Sequence, residues 1–519
     1  MALYRSFFAV GFLTILSRIV GFLREILMAT MLGAGAMSDA IKIAIKLPSL
    51  FRRIFAEGAF NASFVPIFAG LLAKPDGKED AISFAEQILS WLTLMLCVLV
   101  FVVELFMPTI FKILVPGFEA ERLALTIQFT RITFPFILFI SLTAFYSGIL
   151  NSLDRFMSVA SSPMVGNIFI VVFVWFSQVL NQDPGLDFSI AVLGCGIIQL
   201  LWVLVPCVRA GYGIKLKFPV MSPRVKDFFK KVGPAAFGAG VVQINILIDM
   251  IIASDLPKGY LSYLDYAERL NQLPLSVIGT AISTVLLPLM SRHVAAGKVN
   301  DALSSQRDSI EFAMLLTLPS MCGLIVWAVP IVGMIFQHGK FTLADTYATS
   351  AALVAFASGL PAYILIKIFA TTFFSNHDTK TPVIVAVCSV VLNLVLNLLL
   401  IGSFKHVGLA IATSIAAWAN ALVLAYILSK RGLFVMSKGL VHFMGRMVLT
   451  ILLALPMLYG IKFWLDPVVS YSGFWKAIFI MVAALVGIGL FGVCAWLTGA
   501  LNIQRFRRNM TRLEHENNE

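Results

Sequence analysis

The sequence predicts an all-α integral membrane protein of 14 transmembrane helices, built as two six-helix lobes repeated in parallel orientation plus two extra C-terminal helices. Three observations predict it. The 519 residues are 59% hydrophobic and only 13% charged, with a mean hydropathy of +0.92, against about 45–50% and about 25% in soluble domains. The apolar residues fall in blocks of about 20, each long enough to cross a bilayer. The chain also matches itself weakly at an offset of 226 residues: Leu47-Pro48 with Leu273-Pro274, Pro135 with Pro361, and Asn167 with Asn393. A soluble enzyme, a disordered chain and a coiled coil are thereby excluded.

Taken in order, the spans centre on residues 6–30, 38–70, 86–110, 126–150, 158–181, 187–208, 232–254, 266–291, 309–336, 344–374, 382–402, 406–429, 440–463 and 475–499. The first is not a cleavable signal, because it carries Arg18 and Arg24 and lacks a small-residue cleavage site. The second and tenth are long enough to need bending or tilt. The repeat pairs fall at equivalent places in spans two and eight, four and ten, and five and eleven. Residues 1–208 therefore read as an N-terminal lobe, 209–231 as a basic cytoplasmic linker and 232–429 as a C-terminal lobe. Residues 430–501 form the added pair, a candidate groove for a lipid tail, and 502–519 a cytoplasmic tail. Substrate sites of repeat-built transporters lie between the halves.

The net charge of +12 is mostly topology. With the N-terminus in the cytoplasm, 22 basic residues fall on the cytoplasmic side and 7 on the other, which places both termini inside. Nucleic acid is not needed to explain the charge. All six cysteines lie in apolar runs without a CxxC motif, and read as core residues.

Ten basic residues fall inside spans: Arg18, Arg24, Lys42, Lys46, Arg52, Arg53, Arg131, Arg269, Lys367 and Arg446. Each costs about 2.5–3.5 kcal/mol near the bilayer centre on insertion scales, so a lipid-facing place is disfavoured. Seven belong to spans one, two and eight, where Glu25, Glu57 and Glu268 are the acids within reach. A surplus of positive charge in a cavity calls for an anion. Ser17, Arg18, Gly21, Arg24 and Glu25 share one stripe at helical spacing, with Gly21 leaving room for a bulky group. Lys42, Lys46, Arg53 and Glu57 fall within about 60° of one another, with Arg52 pointing elsewhere. Pro48 and Pro274 should bend their helices. Arginine forks suit phosphate, and a lipid-linked diphosphate would fit three of them. Arg52-Arg53 reads equally as a juxtamembrane anchor, and Lys367 and Arg446 as local pairs or interface anchors.

These residues carry a resemblance. The run Ser17-Arg18-Ile19-Val20-Gly21-Phe22-Leu23-Arg24-Glu25, the loop Gly33-Ala34-Gly35 leading to Ser38-Asp39-Ala40, and the block Lys46-Leu47-Pro48-Ser49-Leu50-Phe51-Arg52-Arg53-Ile54-Phe55-Ala56-Glu57-Gly58-Ala59-Phe60 closely resemble the MurJ (MviN) family. These are lipid II flippases of the MOP exporter superfamily. Tyr266-Ala267-Glu268-Arg269-Leu270, Phe336-Gln337-His338-Gly339-Lys340-Phe341 and Asp378-Thr379-Lys380-Thr381-Pro382 extend the match over essentially the whole chain. The resemblance implies alternating access around a cationic cavity and export of undecaprenyl-diphosphate-linked disaccharide-pentapeptide across the bacterial inner membrane for peptidoglycan synthesis.

The cavity arginines map onto Arg18, Arg24 and Arg269, and other sensitive positions onto Asp39, Arg52, Arg53 and Glu57; Ser17, Gly21 and Lys46 join them from the stripes. Glu268 stands where relatives often have Asp. Some members place sodium in the C-terminal lobe, which makes Asp249, Asp378 and Asn393 candidates, although Asp249 reads equally as a structural acid. No cofactor is expected, and sodium or the membrane potential is the implied driving force. A related exporter of another polyprenyl-linked glycan or of a drug is the alternative. A drug exporter would favour acidic residues, and a membrane glycosyltransferase would need a large outer loop with catalytic acids. The outer loops are short, the six histidines scattered, and no GxxxxGK[ST] segment is present. The expectation is a transporter, not an enzyme.

Overall fold

The computed structural model describes residues 2–55, 59–75, 77–179, 183–469 and 474–501. Every regular element among them is a helix, and ten helical stretches are long and apolar enough to cross a membrane. Two compact units divide the chain.

The first unit is Met1–Ser262 with His338–Phe341. It contains α1 (Ala2–Leu32), α2 (Ala36–Phe55), α3 (Ala59–Leu72), α4 (Gly77–Leu114), α5 (Ala120–Thr133), α6 (Phe136–Ser152), α7 (Phe156–Val179), α8 (Pro184–Arg209) and α9 (Pro223–Ser254). Proline at the first helical position and a side-chain cap start two of these helices. The Asp183 carboxylate accepts from Gly185 N at 2.9 Å before α8, and Ser222 Oγ accepts from Val225 N at 3.4 Å before α9. Phe60, Phe64 and Phe68, one helical turn apart on α3, are all buried and stack in sequence at 5.4 Å between ring centres. They pack with Phe84, Phe145 and Phe228 into an aromatic core.

Pro48 does not interrupt α2. Its missing N–H leaves the Ala44 carbonyl without its usual helical partner, and Thr133 Oγ1 of α5 donates to that oxygen at 2.8 Å. Pro135 does break its span, separating α5 from α6.

The sequence separates the lobes at 209–231, yet the compact units part at Ser262. The reason lies in α9. Val225 and Phe228 enter the aromatic core, and Met250 packs with Ile43, Met107 and Phe111. Burial of these side chains joins α9 to the first unit.

The second unit is Tyr263–Gln337 with Thr342–Glu519. It holds α10 (Tyr260–Ala295, whose first turn belongs to the first unit), α11 (Val299–Val326), α12 (Ala328–Phe336), α13 (Leu343–Ser358), α14 (Leu360–Ser375), α15 (Lys380–Lys430), α16 (Lys438–Val469) and α17 (Phe474–Leu497). A capping box of Thr342 and Asp345 starts α13. Gly359 and Pro361 separate α13 from α14, so the prolines paired by the internal repeat both mark helix breaks. Within α15, Lys405 has φ 50° and divides the element into two arms. Trp327 anchors the core of this unit, donating from Nε1 to Leu458 O at 3.2 Å.

Candidate functional site

The stripe on α1 packs against α7. Arg24 is half-buried and held by two acceptors: Nη2 lies 2.6 Å from Glu25 Oε1, and Nη1 donates to Asn167 Oδ1 at 3.1 Å. About a fifth of the Arg24 side chain stays accessible, so the fork is fixed yet reachable. Arg18 lies on the same stripe, exposed, with no hydrogen bond or ion pair to the described residues. Ser17 is half-buried beside it.

Gly21 plays a different part from the expected one. A Cβ built there comes 3.3 Å from Asn167 Nδ2, so the vacant volume holds the α7 amide and not a ligand. The small residue lets α7 approach closely enough to deliver Asn167 to Arg24. The internal repeat had already marked Asn167, but its role as partner of Arg24 follows only from the fold.

On α2, five ionisable side chains accompany a largely buried helix. Ala40, Ile41, Ile43, Ala44, Leu47 and Leu50 are all buried, and Lys42 is buried with them. Lys46 and Arg52 are half-buried and Arg53 is exposed. Glu57 lies outside the described residues.

Asp39 departs from the binding role carried over from the resemblance. It is fully buried, and both carboxylate oxygens are engaged. Oδ2 is 2.7 Å from Arg122 Nη2 and accepts from Gly259 N at 2.7 Å, while Oδ1 accepts from Ser262 N at 2.9 Å and Ser262 Oγ at 2.6 Å. Arg122 also donates to Leu256 O at 3.1 Å and stacks on Phe118 at 3.7 Å. This is a structural brace joining α2, α5 and the start of α10. Sequence reasoning missed Arg122 as its partner, since neither spacing nor motif links it to Asp39. Nearby, Lys258 reaches Glu119 at 2.9 Å and Glu121 at 3.4 Å, and these carboxylates raise its pKa above the ordinary lysine value.

The turn between α1 and α2 is covered by the 338–341 segment. Gly33 and Gly339 both have left-handed φ, 65° and 56°, a conformation that glycine adopts without steric cost. Lys340 N donates to Thr30 O at 2.9 Å. A Cβ on Gly33 would lie 2.6 Å from Lys340 O, and one on Gly339 would collide with Thr30 O.

In the second unit, Arg269 is exposed on α10 while Tyr266, Ala267 and Leu270 are buried. Glu268 accepts from Gln272 Nε2 at 2.8 Å. Lys367 lies across Gly279 of α10, and Arg446 donates to Gly499 O at 3.0 Å. In the first unit, Arg131 interacts electrostatically with Glu104.

Of the sodium candidates, Asp378 and Asn393 in the second unit stand apart. Asp378 precedes the first arm of α15 and Asn393 lies 15 residues further along that arm, about 22 Å by helical rise. Asp378 accepts from Lys380 N at 3.0 Å, Thr381 N at 2.9 Å, Thr381 Oγ1 at 2.5 Å and Arg431 Nη1 at 2.6 Å. It caps one arm and grips the residue that ends the other. Its Thr381 and Arg431 partners hold its pKa well below the usual carboxylate range. Asn393 pairs with Asn397 at 3.0 Å and Thr413 at 3.3 Å. Asp249, in the first unit, accepts from Asn245 at 3.3 Å. Among the described residues no cluster of three His, Cys, Asp or Glu side chains could hold a metal.

Comparison with known proteins follows the same lines. A family model described as lipid II flippase MurJ matches residues 28–479. A probable lipid II flippase MurJ of Rickettsia prowazekii is 36% identical over 506 residues, spanning 97% of this chain and 99% of the relative. Another from Rhizobium meliloti is 36% identical over 520 residues, spanning 99% and 97%. The solved structure of a lipid II flippase MurJ in an inward closed conformation aligns with a TM-score of 0.77 at 28% identity, over 93% of this chain and 97% of that one. A multidrug resistance transporter of the MATE family and MOP superfamily, in an inward-facing conformation, aligns with a TM-score of 0.66 at 14% identity, over 80% and 94%. The last shares the fold alone.

Proposed function

We propose, from the premise that this chain belongs to the lipid II flippase MurJ family, that its arginine stripe receives the diphosphate of lipid II during transfer across the inner membrane. The protein is a flippase, a transporter and not a catalyst of bond chemistry. Arg24 carries the reading. Its fork is pre-set by Glu25 and Asn167 while part of it remains accessible, and Arg18 lies on the same stripe with no competing partner among the described residues. A guanidinium held in place loses little freedom when it meets a phosphate, and it stays charged when water is withdrawn. Arg269, Arg52, Arg53 and Lys46 would supply further positive charge as access alternates between the two leaflets.

The helices support a count of fourteen spans. In that count α2 with α3, α5 with α6, α11 with α12 and α13 with α14 make one span each, and α15 contributes two. Both termini then lie in the cytoplasm, as the basic-residue bias favours. A negative-inside potential favours outward movement of negative charge by about 2.3 kcal/mol per elementary charge per 100 mV. We take this as the driving force, because the geometry of Asp378 and Asn393 favours no shared ion.

The test is equilibrium binding of lipid II and of a neutral polyprenol of equal tail length to wild type, Arg24→Ala and Arg269→Ala. Diphosphate-dependent binding that falls about tenfold in each variant is expected from loss of a charge-assisted contact. Equal binding of both lipids, unchanged by either substitution, would overturn the reading.

A further inference from the structure

Between α8 and α9 the chain runs through residues 212–222 without helix or strand, and this segment is fastened along α4. Lys215 N donates to Glu86 Oε1 at 3.4 Å and Lys217 N to Ser90 Oγ at 3.0 Å. Trp91 Nε1 donates to Val220 O at 3.2 Å, and Ser222 Oγ to Gln87 Oε1 at 2.6 Å. The Lys217 ammonium also pairs with Glu86, a buried carboxylate. The strap is therefore a built element and not a loose connection.

Its outward side is apolar. Phe218 is 88% exposed, Leu216 65%, Val220 57% and Met221 51%. A run of large apolar side chains held in water by a pinned backbone is unfavourable. The strap directly follows the apolar span α8 and precedes α9, so it emerges at a membrane boundary. Cations surround it. Lys217, Arg224 and Lys230 are paired with Glu86, Asp80 and Asp227. Arg209, Lys215, Lys226 and Lys231 are exposed and have no acidic partner among the described residues. Apolar side chains beside unpaired cations match the layer in which acyl chains meet anionic headgroups.

We propose that residues 215–221 are an interfacial strap that inserts Leu216, Phe218 and Val220 among acyl chains, and that the adjacent unpaired cations select anionic phospholipid. The inference does not depend on the transported substrate.

The experiment uses the full chain in nanodiscs of zwitterionic lipid with or without phosphatidylglycerol. Phe218→Cys carries an environment-sensitive fluorophore, with Cys97 and Cys388, the exposed native cysteines, replaced by Ser. Expected is strong quenching by brominated acyl chains and weak quenching by aqueous iodide. Brominated phosphatidylglycerol should quench about threefold more effectively than brominated phosphatidylcholine at equal mole fraction, a preference lost in Lys215→Gln/Lys226→Gln/Lys231→Gln. These substitutions are at exposed positions and leave the Glu86 and Asp80 pairs intact. Iodide access without acyl quenching would overturn the proposal. So would equal quenching by the two lipids, or protection that rises with protein concentration and so marks a second copy as the occupant.

Discussion

The Asn167 amide occupies the space that any side chain at Gly21 would need, and the same amide accepts from Arg24. Gly21 is therefore tied to Arg24 through α7. Gly21→Ala must push Asn167 aside by a few tenths of an ångström, whereas Asn167→Ala removes the acceptor outright. Both should weaken lipid II binding, Asn167→Ala by about three- to tenfold, the equivalent of one hydrogen bond to a charged group or slightly less. Titration of purified protein with lipid II checks this, and binding unchanged in Asn167→Ala would show that Arg24 needs no positioning from α7.

The Asp39–Arg122 pair should behave as a buried brace. Removing one partner strands the other charge, at a cost of about 3–5 kcal/mol. Asp39→Ala should sharply lower the unfolding temperature in detergent, and Asp39→Asn with Arg122→Gln should recover much of the loss. If the double variant is no better than the single, the pair is not the source of the stability.

Thr133→Val keeps the side-chain shape and deletes the donor to Ala44 O. A buried carbonyl left unsatisfied costs about 1–3 kcal/mol. A lowered thermal midpoint without loss of helix signal is the expected result, and an unchanged midpoint would mean that another donor satisfies Ala44.

Asp378 predicts a pH dependence. Its pKa in the folded chain is depressed below the ordinary value of 3.8 by Thr381 and Arg431. The stability it contributes is complete above that ordinary value and is lost as pH falls through the lower, folded one. Hydrogen exchange at the start of α15 should therefore differ between wild type and Asp378→Asn by a constant amount from pH 7 to about 5. The difference should shrink only in stronger acid. A difference that vanished near neutrality would contradict the assignment.

Much of this was legible along the chain. Hydropathy blocks marked the apolar spans, helical spacing gathered Arg18, Gly21 and Arg24 on one stripe, and the repeat picked out Pro135 and Pro361, both of which break helices. Spacing reports which face a residue occupies but not what meets that face, so the amide opposite Gly21 and the guanidinium opposite Asp39 were invisible. Asp378 shows the converse error. Asp378-Thr379-Lys380-Thr381 is a local helix-start pattern, and its carboxylate is consumed by backbone and hydroxyl donors a few residues away. The place of α9 depended on where Phe228 and Met250 found hydrophobic partners, which no local pattern records.

The meeting of Gly33 with Gly339 has a consequence for how this end of the molecule responds to its surroundings. It is a main-chain seam in which Lys340 N donates to Thr30 O, and neither of those groups titrates. That main-chain bond carries no net charge for salt to screen, whereas added salt should erode the exposed Lys258 pairs with Glu119 and Glu121. A change in ionic strength would thus be read by the lysine–glutamate pairs and passed over by the main-chain bond.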